Sequence, residues 1–297
     1  MTGLVVVLAP PCSFGSVVGS MLGQHPDLYG LPEVNLFLAE TMGERAGMLV
    51  GRPLADHGLL RAVAQLVSGE QTVPAVTAAR RWLHARRRLT TRSVLHELMA
   101  LVRPRILVDL SATTVEHAAY MQRARRSVEG VKFLHLLRHP LTQGQSLLRS
   151  GGRAAVARLC GMDPNRPFTT PDPQRAWLTL HTTICTFLDG LDRDATFRVR
   201  GEDLLVDPET HLRQIAQWLG IRVDRDAIDA MRHPERSSFA SFGPLTARFG
   251  HDPGFLRDPR LRVGSRPASL SGPLPWASDG KGFSSEVVDL AREFGYE

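Results

Sequence analysis

The sequence predicts an α/β fold: a parallel sheet flanked by helices, opening on a P-loop-like strand-turn-helix at the N-terminus. Three observations predict it. Short β-branched apolar runs alternate with longer stretches of helical periodicity. The first run, LVVVL at residues 4–8, is apolar at every position, the pattern of a strand buried on both faces. It passes through a proline-containing turn at 9–13 directly into a helical stretch. At 297 residues and 43% hydrophobic content the chain can bury a sizeable core. One α/β domain over residues 1–297, with helical insertions at about 36–105 and 151–190, is the simplest organisation.

The elements follow in order. Residues 16–24 are expected to be helical, as are 36–48 and 59–67. A very basic helical region spans 80–103, and a second buried strand 106–109. A helix is expected at 115–127 and a third strand at 132–137, stopped by Pro140. Another helix covers 141–149, and 151–173 is expected to be loop because it is rich in Gly, Pro and Arg. A long helix at 174–191, a fourth strand at 196–200 and a helix at 208–219 complete the alternation. Beyond about residue 232 the chain is expected to be irregular until a last helix at 285–294.

Charge and composition narrow the function. The net charge is +6, and only Lys132 and Lys281 are lysines. A basic balance favours anionic ligands, and the planar guanidinium fork suits phosphate and sulfate. Cys12, Cys160 and Cys185 show no CxxC spacing, which argues for a reducing compartment and against structural zinc. No apolar run approaches the ~20 residues of a membrane span. A soluble cytoplasmic protein with no membrane partner is expected. No histidine pair has metal-ligand spacing with a carboxylate, so no metal is expected, and a GxSxG nucleophile turn is absent. The basic run 80–92 lacks interleaved aromatics, so nucleic acid is not the expected partner. It reads as a solvated helical face, or alternatively as a rim attracting an anionic acceptor or carrier domain.

The first turn carries the chemistry. Against the Walker A pattern it keeps only the final serine, Ser16. What survives is geometry: a buried strand, a tight turn, and a helix whose first N–H groups lack intrahelical partners and attract an anion. Ser13 and Ser16 add hydroxyls, and Gly15 allows close approach to the backbone. The alternative is a plain strand-helix turn capped by Ser13. Cys12 sits inside the turn, where a helix N-terminus is expected to lower its thiol pKa.

The stretch PPCSFGSVVGSMLGQHPDLYGLPEVNLF at 10–37 resembles the N-terminal segment of sulfotransferases that use 3′-phosphoadenosine 5′-phosphosulfate (PAPS). LLRHPLTQGQSLL at 136–148 resembles that family's 3′-phosphate site, and RVRGEDLLVDPETHLRQIAQWLGI at 198–221 its later strand and helix. The likeness spans roughly residues 4–220, with a fainter echo in HPERSSFASFGP and GHDPGFLRDPRLR. It implies a PAPS donor, with 3′-phosphoadenosine 5′-phosphate (PAP) as product. Cys12, Ser13, Phe14, Gly15 and Ser16 would cradle the 5′-phosphosulfate, and Arg138 and Ser146 would hold the 3′-phosphate. Glu33 falls on the stretch that carries a catalytic glutamate in the family; His117 and Asp109 are its rivals. Glu202 and Asp203 are expected to brace the fold. The acceptor would be a hydroxyl of a small-molecule or carrier-bound biosynthetic intermediate; the oligomeric state is open. Departures from the pattern matter. Cys12 replaces the loop's basic residue, Phe14 its glycine and Gly15 its threonine. In VDLSATT, Leu110 stands for a lysine and Ala112 for a proline. A nucleotide-binding protein without transfer activity is therefore the alternative, and a small-molecule kinase a more distant one.

Overall fold

The apolar run Leu4–Leu8 forms β1 at the centre of a five-stranded sheet. The computed structural model describes residues 3–160, 171–262, 269–277 and 279–297. Strand β2 (Leu28–Gly30) lies at one edge, followed by β3 (Ile106–Asp109), β1, β4 (Lys132–Leu137) and β5 (Thr196–Arg200). Every pairing is parallel, with Val6 opposite Asp109, Leu8 opposite His135 and Leu137 opposite Arg200. Because side chains alternate along a strand, β1 feeds two cores. Leu4, Val6 and Leu8 join one hydrophobic cluster, Val5 and Val7 the other. Both faces are covered, which explains a strand with no polar residue.

The four strands expected from the sequence match the observed ones end to end; β2 is the addition, a three-residue edge strand. The helices are α1 (Gly15–Leu22), α2 (Met42–Met48), α3 (His57–Ser68), α4 (Val73–Ala85), α5 (Thr91–Val102), α6 (Ala118–Ser127) and α7 (Pro140–Leu159). Then come α8 (Pro173–Leu188), α9 (Gly201–Val206), α10 (Pro208–Leu219), α11 (Arg225–Met231), α12 (Pro253–Arg257) and α13 (Ser285–Glu293). The basic stretch 80–103 is two helices: α4 ends at Ala85 with Arg86 as its C-cap, and Thr90 caps the next, accepting from the Ser93 amide at 3.0 Å. Within 36–48 the regular α-helix begins only at Met42, where Thr41 and Glu44 form a reciprocal capping box. The expected loop at 151–173 starts late, since α7 continues to Leu159. Glycine inside a helix costs only about 1 kcal/mol relative to alanine, and alanine-rich sequence follows. Residues 161–170 of that expected loop lie outside the described residues.

The sheet order places the site. The chain leaves β1 toward β2, returns through β3, and crosses to β4 on the other side of β1. Such a switch point opens a crevice outside the carboxyl ends of the strands. The turn after β1, Leu110 and Ser111 after β3, and Arg138 after β4 all meet there. The end of α1 sits close on β2: a Cβ added at Gly23 would lie 2.7 Å from the Cα and N of Gly30. Gly47, on exposed α2, has nothing within 4 Å of its added Cβ.

These two glycines should respond with opposite sign. Gly23→Ala should destabilise by about 1–3 kcal/mol, the scale of overpacking. Gly47→Ala should stabilise by about 0.5–1 kcal/mol through backbone entropy. Urea denaturation reads both as midpoint shifts at unchanged slope; a destabilised Gly47→Ala or a neutral Gly23→Ala would contradict the packing described.

Candidate anion-binding cleft

Three carbonyls of the turn after β1 are bonded by donors of the protein. Ser13 donates its amide to the Pro10 carbonyl at 3.1 Å. The buried Gln143 side chain donates to the Pro11 carbonyl at 3.1 Å, and Arg138 Nη1 to the Cys12 carbonyl at 2.6 Å. Cys12 and Phe14 both adopt left-handed backbone, at φ 63° and 65°. Each such non-glycine residue costs about 1–2 kcal/mol. Phe14 is held by packing: a Cβ at Gly201 would fall 2.3 Å from its ring, and the Arg138 guanidinium lies 4.3 Å from its centroid. Among the described residues, the amides of Phe14, Gly15, Ser16 and Val17 have no acceptor. They stand at the N-terminal end of α1, where the helix dipole adds positive potential. Left-handed turns that aim successive N–H groups one way are anion nests.

Cys12, Phe14, Gly15, Ser16, Glu33, Arg138 and Ser146 line one cleft of about 530 Å³. Ser13 does not; it is buried in the turn, and its hydroxyl has no hydrogen-bond partner among the described residues. Ser16 Oγ accepts from the Asp252 amide at 2.9 Å, which leaves its hydrogen free to donate. Arg138 follows β4; its Nε donates to Thr142 Oγ at 3.2 Å. Ser146 lies further along α7, with Arg149 Nη2 at 3.3 Å from its Oγ. Burial pushes the Cys12 thiol up, more than Ser150 and Arg138 pull it down. The expected lowering is thus corrected to a raised thiol pKa, since desolvation by burial is the largest cause.

Glu33 faces the turn from the opposite wall. Its amide donates to the Gly250 carbonyl at 2.8 Å, and a Cβ at Gly58 would collide with its carbonyl oxygen at 2.0 Å. The residues after it are clamped. Buried Arg45 donates to the carbonyls of Val34 at 2.8 Å and Asn35 at 3.0 Å. The Asn35 amide donates to Ser111 Oγ at 2.9 Å, and the Ser111 hydroxyl to Asp109 at 2.7 Å. Asp109 does not line the cleft; it is fully buried and spends its oxygens on Ser111. Burial, reinforced by Asp109, Asp252 and Glu116, pushes the half-buried Glu33 carboxyl up to about 8.

His117 lies in an adjoining cleft of about 740 Å³, which shares Pro11, Cys12, Glu116 and Ser150 with the first. Leu147, Leu159 and Leu180 give it apolar walls. Among the cleft-lining residues not singled out from the sequence are Glu116, His251 and Asp252. The His251 ring is buried, its Nδ1 has no partner among the described residues, and burial with the Arg61 charge lowers its pKa to about 3, so it is neutral. The signal was there in His-Asp-Pro: Asp252 caps α12 through the Gly254 and Phe255 amides, and Pro253 opens it. Among the described residues lining the first cleft, Arg138 is the one arginine, against Glu33, Glu116 and Asp252. Arg80, Arg87 and Arg88 border other clefts, which share no residue with these two.

Comparisons with known proteins bear on the family and the fold. Residues 5–225 match a family model described as Sulfotransferase family. A sulfotransferase domain from the curacin biosynthetic pathway superposes with a TM-score of 0.80 at 22% identity, covering 100% of this chain and 99% of its own. A sulfotransferase domain from the Synechococcus PCC 7002 olefin synthase gives 0.70 at 23% identity, covering 99% and 94%. At these identities the likeness is one of fold. No curated protein matches the chain significantly.

The raised Glu33 pKa makes stability depend on pH. With a folded value near 8 against 4.5 for the unconstrained group, Glu33 favours folding when protonated, and that contribution is lost as pH rises through about 8. Glu33→Gln cannot lose it. The melting-temperature gain of the variant over wild type should grow from pH 5 to pH 9; a pH-independent difference would refute the raised pKa.

Proposed function

The chain belongs to the sulfotransferase family, and on that footing we propose that it transfers a sulfuryl group from PAPS to a hydroxyl of a small-molecule or carrier-bound biosynthetic intermediate. The observation that carries the reading is the turn of left-handed Cys12 and Phe14, which turns four unpaired amides toward a cleft also lined by Arg138 and Ser146. A donor with a 5′-phosphosulfate and a separate 3′-phosphate needs two anion sites in one cleft. The turn is fitted for the first, and the unpartnered Ser13 hydroxyl beneath it is a further donor in want of an acceptor. Arg138 and Ser146 are fitted for the second.

The donor, when bound, supplies the sulfuryl group. This chain's residues supply position and field. The amides of Gly15, Ser16 and Val17 and the Ser16 hydroxyl would stabilise charge developing on the leaving phosphate. Arg138 would anchor the nucleotide at its far end. Glu33, across the cleft, would orient the acceptor hydroxyl and take its proton. A carboxyl near 8 is a stronger base than an ordinary glutamate, and it is mostly protonated at neutral pH. Transfer should therefore rise with pH through about 8. The adjoining cleft, which shares Cys12 and Glu116 with the first and mixes leucines with Arg52, Arg158 and His117, would be the space for the acceptor. The biosynthetic pathway and olefin synthase in the two neighbours' names support an acceptor that is a biosynthetic intermediate.

Arg138→Ala should cost one charge-assisted contact, about 1.5–3 kcal/mol, or roughly tenfold to hundredfold in PAP affinity. Affinity for adenosine 5′-phosphate, which lacks the 3′-phosphate, should barely change. Calorimetric titration with both ligands decides, and equal losses would sink the assignment.

Glu33→Gln should slow labelled sulfate transfer roughly a hundredfold or more, leave PAP binding near normal, and flatten the pH dependence. An unchanged rate would remove Glu33 as base and turn attention to His117 and His251. Wild-type protein that binds PAP but transfers nothing to any hydroxyl acceptor would favour a binding protein over an enzyme.

A further inference from the structure

The backbone at Arg138 is tied on both sides by groups from distant elements. Its carbonyl accepts from the Trp177 indole N–H on α8 at 2.9 Å. The next amide, that of His139, donates to Glu202 Oε1 at 2.8 Å. The other carboxyl oxygen of Glu202 accepts from the Tyr296 hydroxyl at 2.9 Å. Glu202 is 5% exposed and Tyr296 3%, so this chain of bonds runs through the interior. The Tyr296 ring meets His139 edge-on at 5.1 Å between centroids. Gly201, beside Glu202, is the residue against which Phe14 packs, and Phe14 in turn lies under the Arg138 guanidinium. The dipeptide at the head of α9 therefore touches both halves of the cleft. Through Gly201 it supports the turn; through Glu202 it fixes the residue that follows Arg138.

We infer that Tyr296 is a positioning residue for the arginine anion site: its hydroxyl holds Glu202, Glu202 holds the backbone after Arg138, and the guanidinium is thereby aimed into the cleft. The segment after α13 thus contributes to nucleotide selectivity without touching nucleotide. The inference rests on the reading of Arg138 as the 3′-phosphate contact. Its physical basis is the cost of an unpaired buried polar group. Without the Tyr296 hydroxyl a buried carboxyl oxygen loses its partner, and the Glu202 side chain is free to relax away from His139. A guanidinium must meet a phosphate within tenths of an ångström to bond through its fork, so a small backbone shift loosens that contact first.

The test is a double-mutant cycle read by calorimetry with PAP and adenosine 5′-phosphate. Tyr296→Phe should weaken PAP binding roughly fivefold, the scale of one buried hydrogen bond, with adenosine 5′-phosphate unchanged. In an Arg138→Ala background the same substitution should have no further effect on PAP affinity, although it lowers the melting temperature in both backgrounds. Trp177→Phe, which removes the other tie, should show the same selectivity loss and carries the test if Tyr296→Phe does not fold. An unchanged PAP preference in a folded variant, or equal losses in both backgrounds, would overturn the inference while leaving the donor reading intact. A wild-type protein with no preference for PAP would instead remove the donor reading and this inference with it.

Discussion

Three carbonyls bonded by donors of the protein fix the shape of the turn after β1. Ser13, Gln143 and Arg138 take the carbonyls of Pro10, Pro11 and Cys12. After the turn, the amides of Phe14, Gly15, Ser16 and Val17 have no acceptor among the described residues, because α1 begins there and its first N–H groups lack intrahelical partners. The cost is two left-handed residues that are not glycine, Cys12 and Phe14. Strain of this kind persists only where the surroundings over-determine it. Here the surroundings are Gly201, whose missing side chain makes room for the Phe14 ring, and Arg138, which bonds the turn and covers the ring at once. Arg138 is therefore both a strut of the cradle and its one arginine among the described residues lining the cleft.

That economy sets the character of the site. Sulfotransferase chemistry asks for charge stabilisation at a leaving phosphate, yet Cys12 contributes a neutral thiol and Leu110 a buried hydrocarbon. On the proposed donor reading, most of the stabilisation would come from backbone dipoles, which need no reorganisation but carry only partial charge. Three carboxyl groups line the same cleft, and their mutual repulsion is part of what raises Glu33. A bound anion would raise it further.

Much of the fold was legible. Buried parallel strands are continuous apolar runs, so four of the five strands could be read end to end. The edge strand Leu28–Gly30 could not, because three residues ending in glycine carry no periodicity. Helix ends were misread where glycines suggested a stop, as in α7, or where a capping threonine split a basic run, as at Thr90. In the site, the turn and Arg138 follow strands legible in the sequence, and the structure puts both on one cleft. Asp109 was misleading: a carboxylate at a strand end looks chemical, but here it serves Ser111 and, through it, the Glu33 loop. Asp252 reaches the turn from 236 residues away through its amide on Ser16 Oγ, a contact that only tertiary packing creates.

The most direct test of the account is a crystal structure of the protein with PAP. The account predicts 5′-phosphate oxygens within hydrogen-bonding distance of the Gly15, Ser16 and Val17 amides, and the 3′-phosphate on Arg138 and Ser146. A nucleotide bound with its 5′-phosphate away from those amides, or with Arg138 still facing only Cys12 and Thr142, would contradict it.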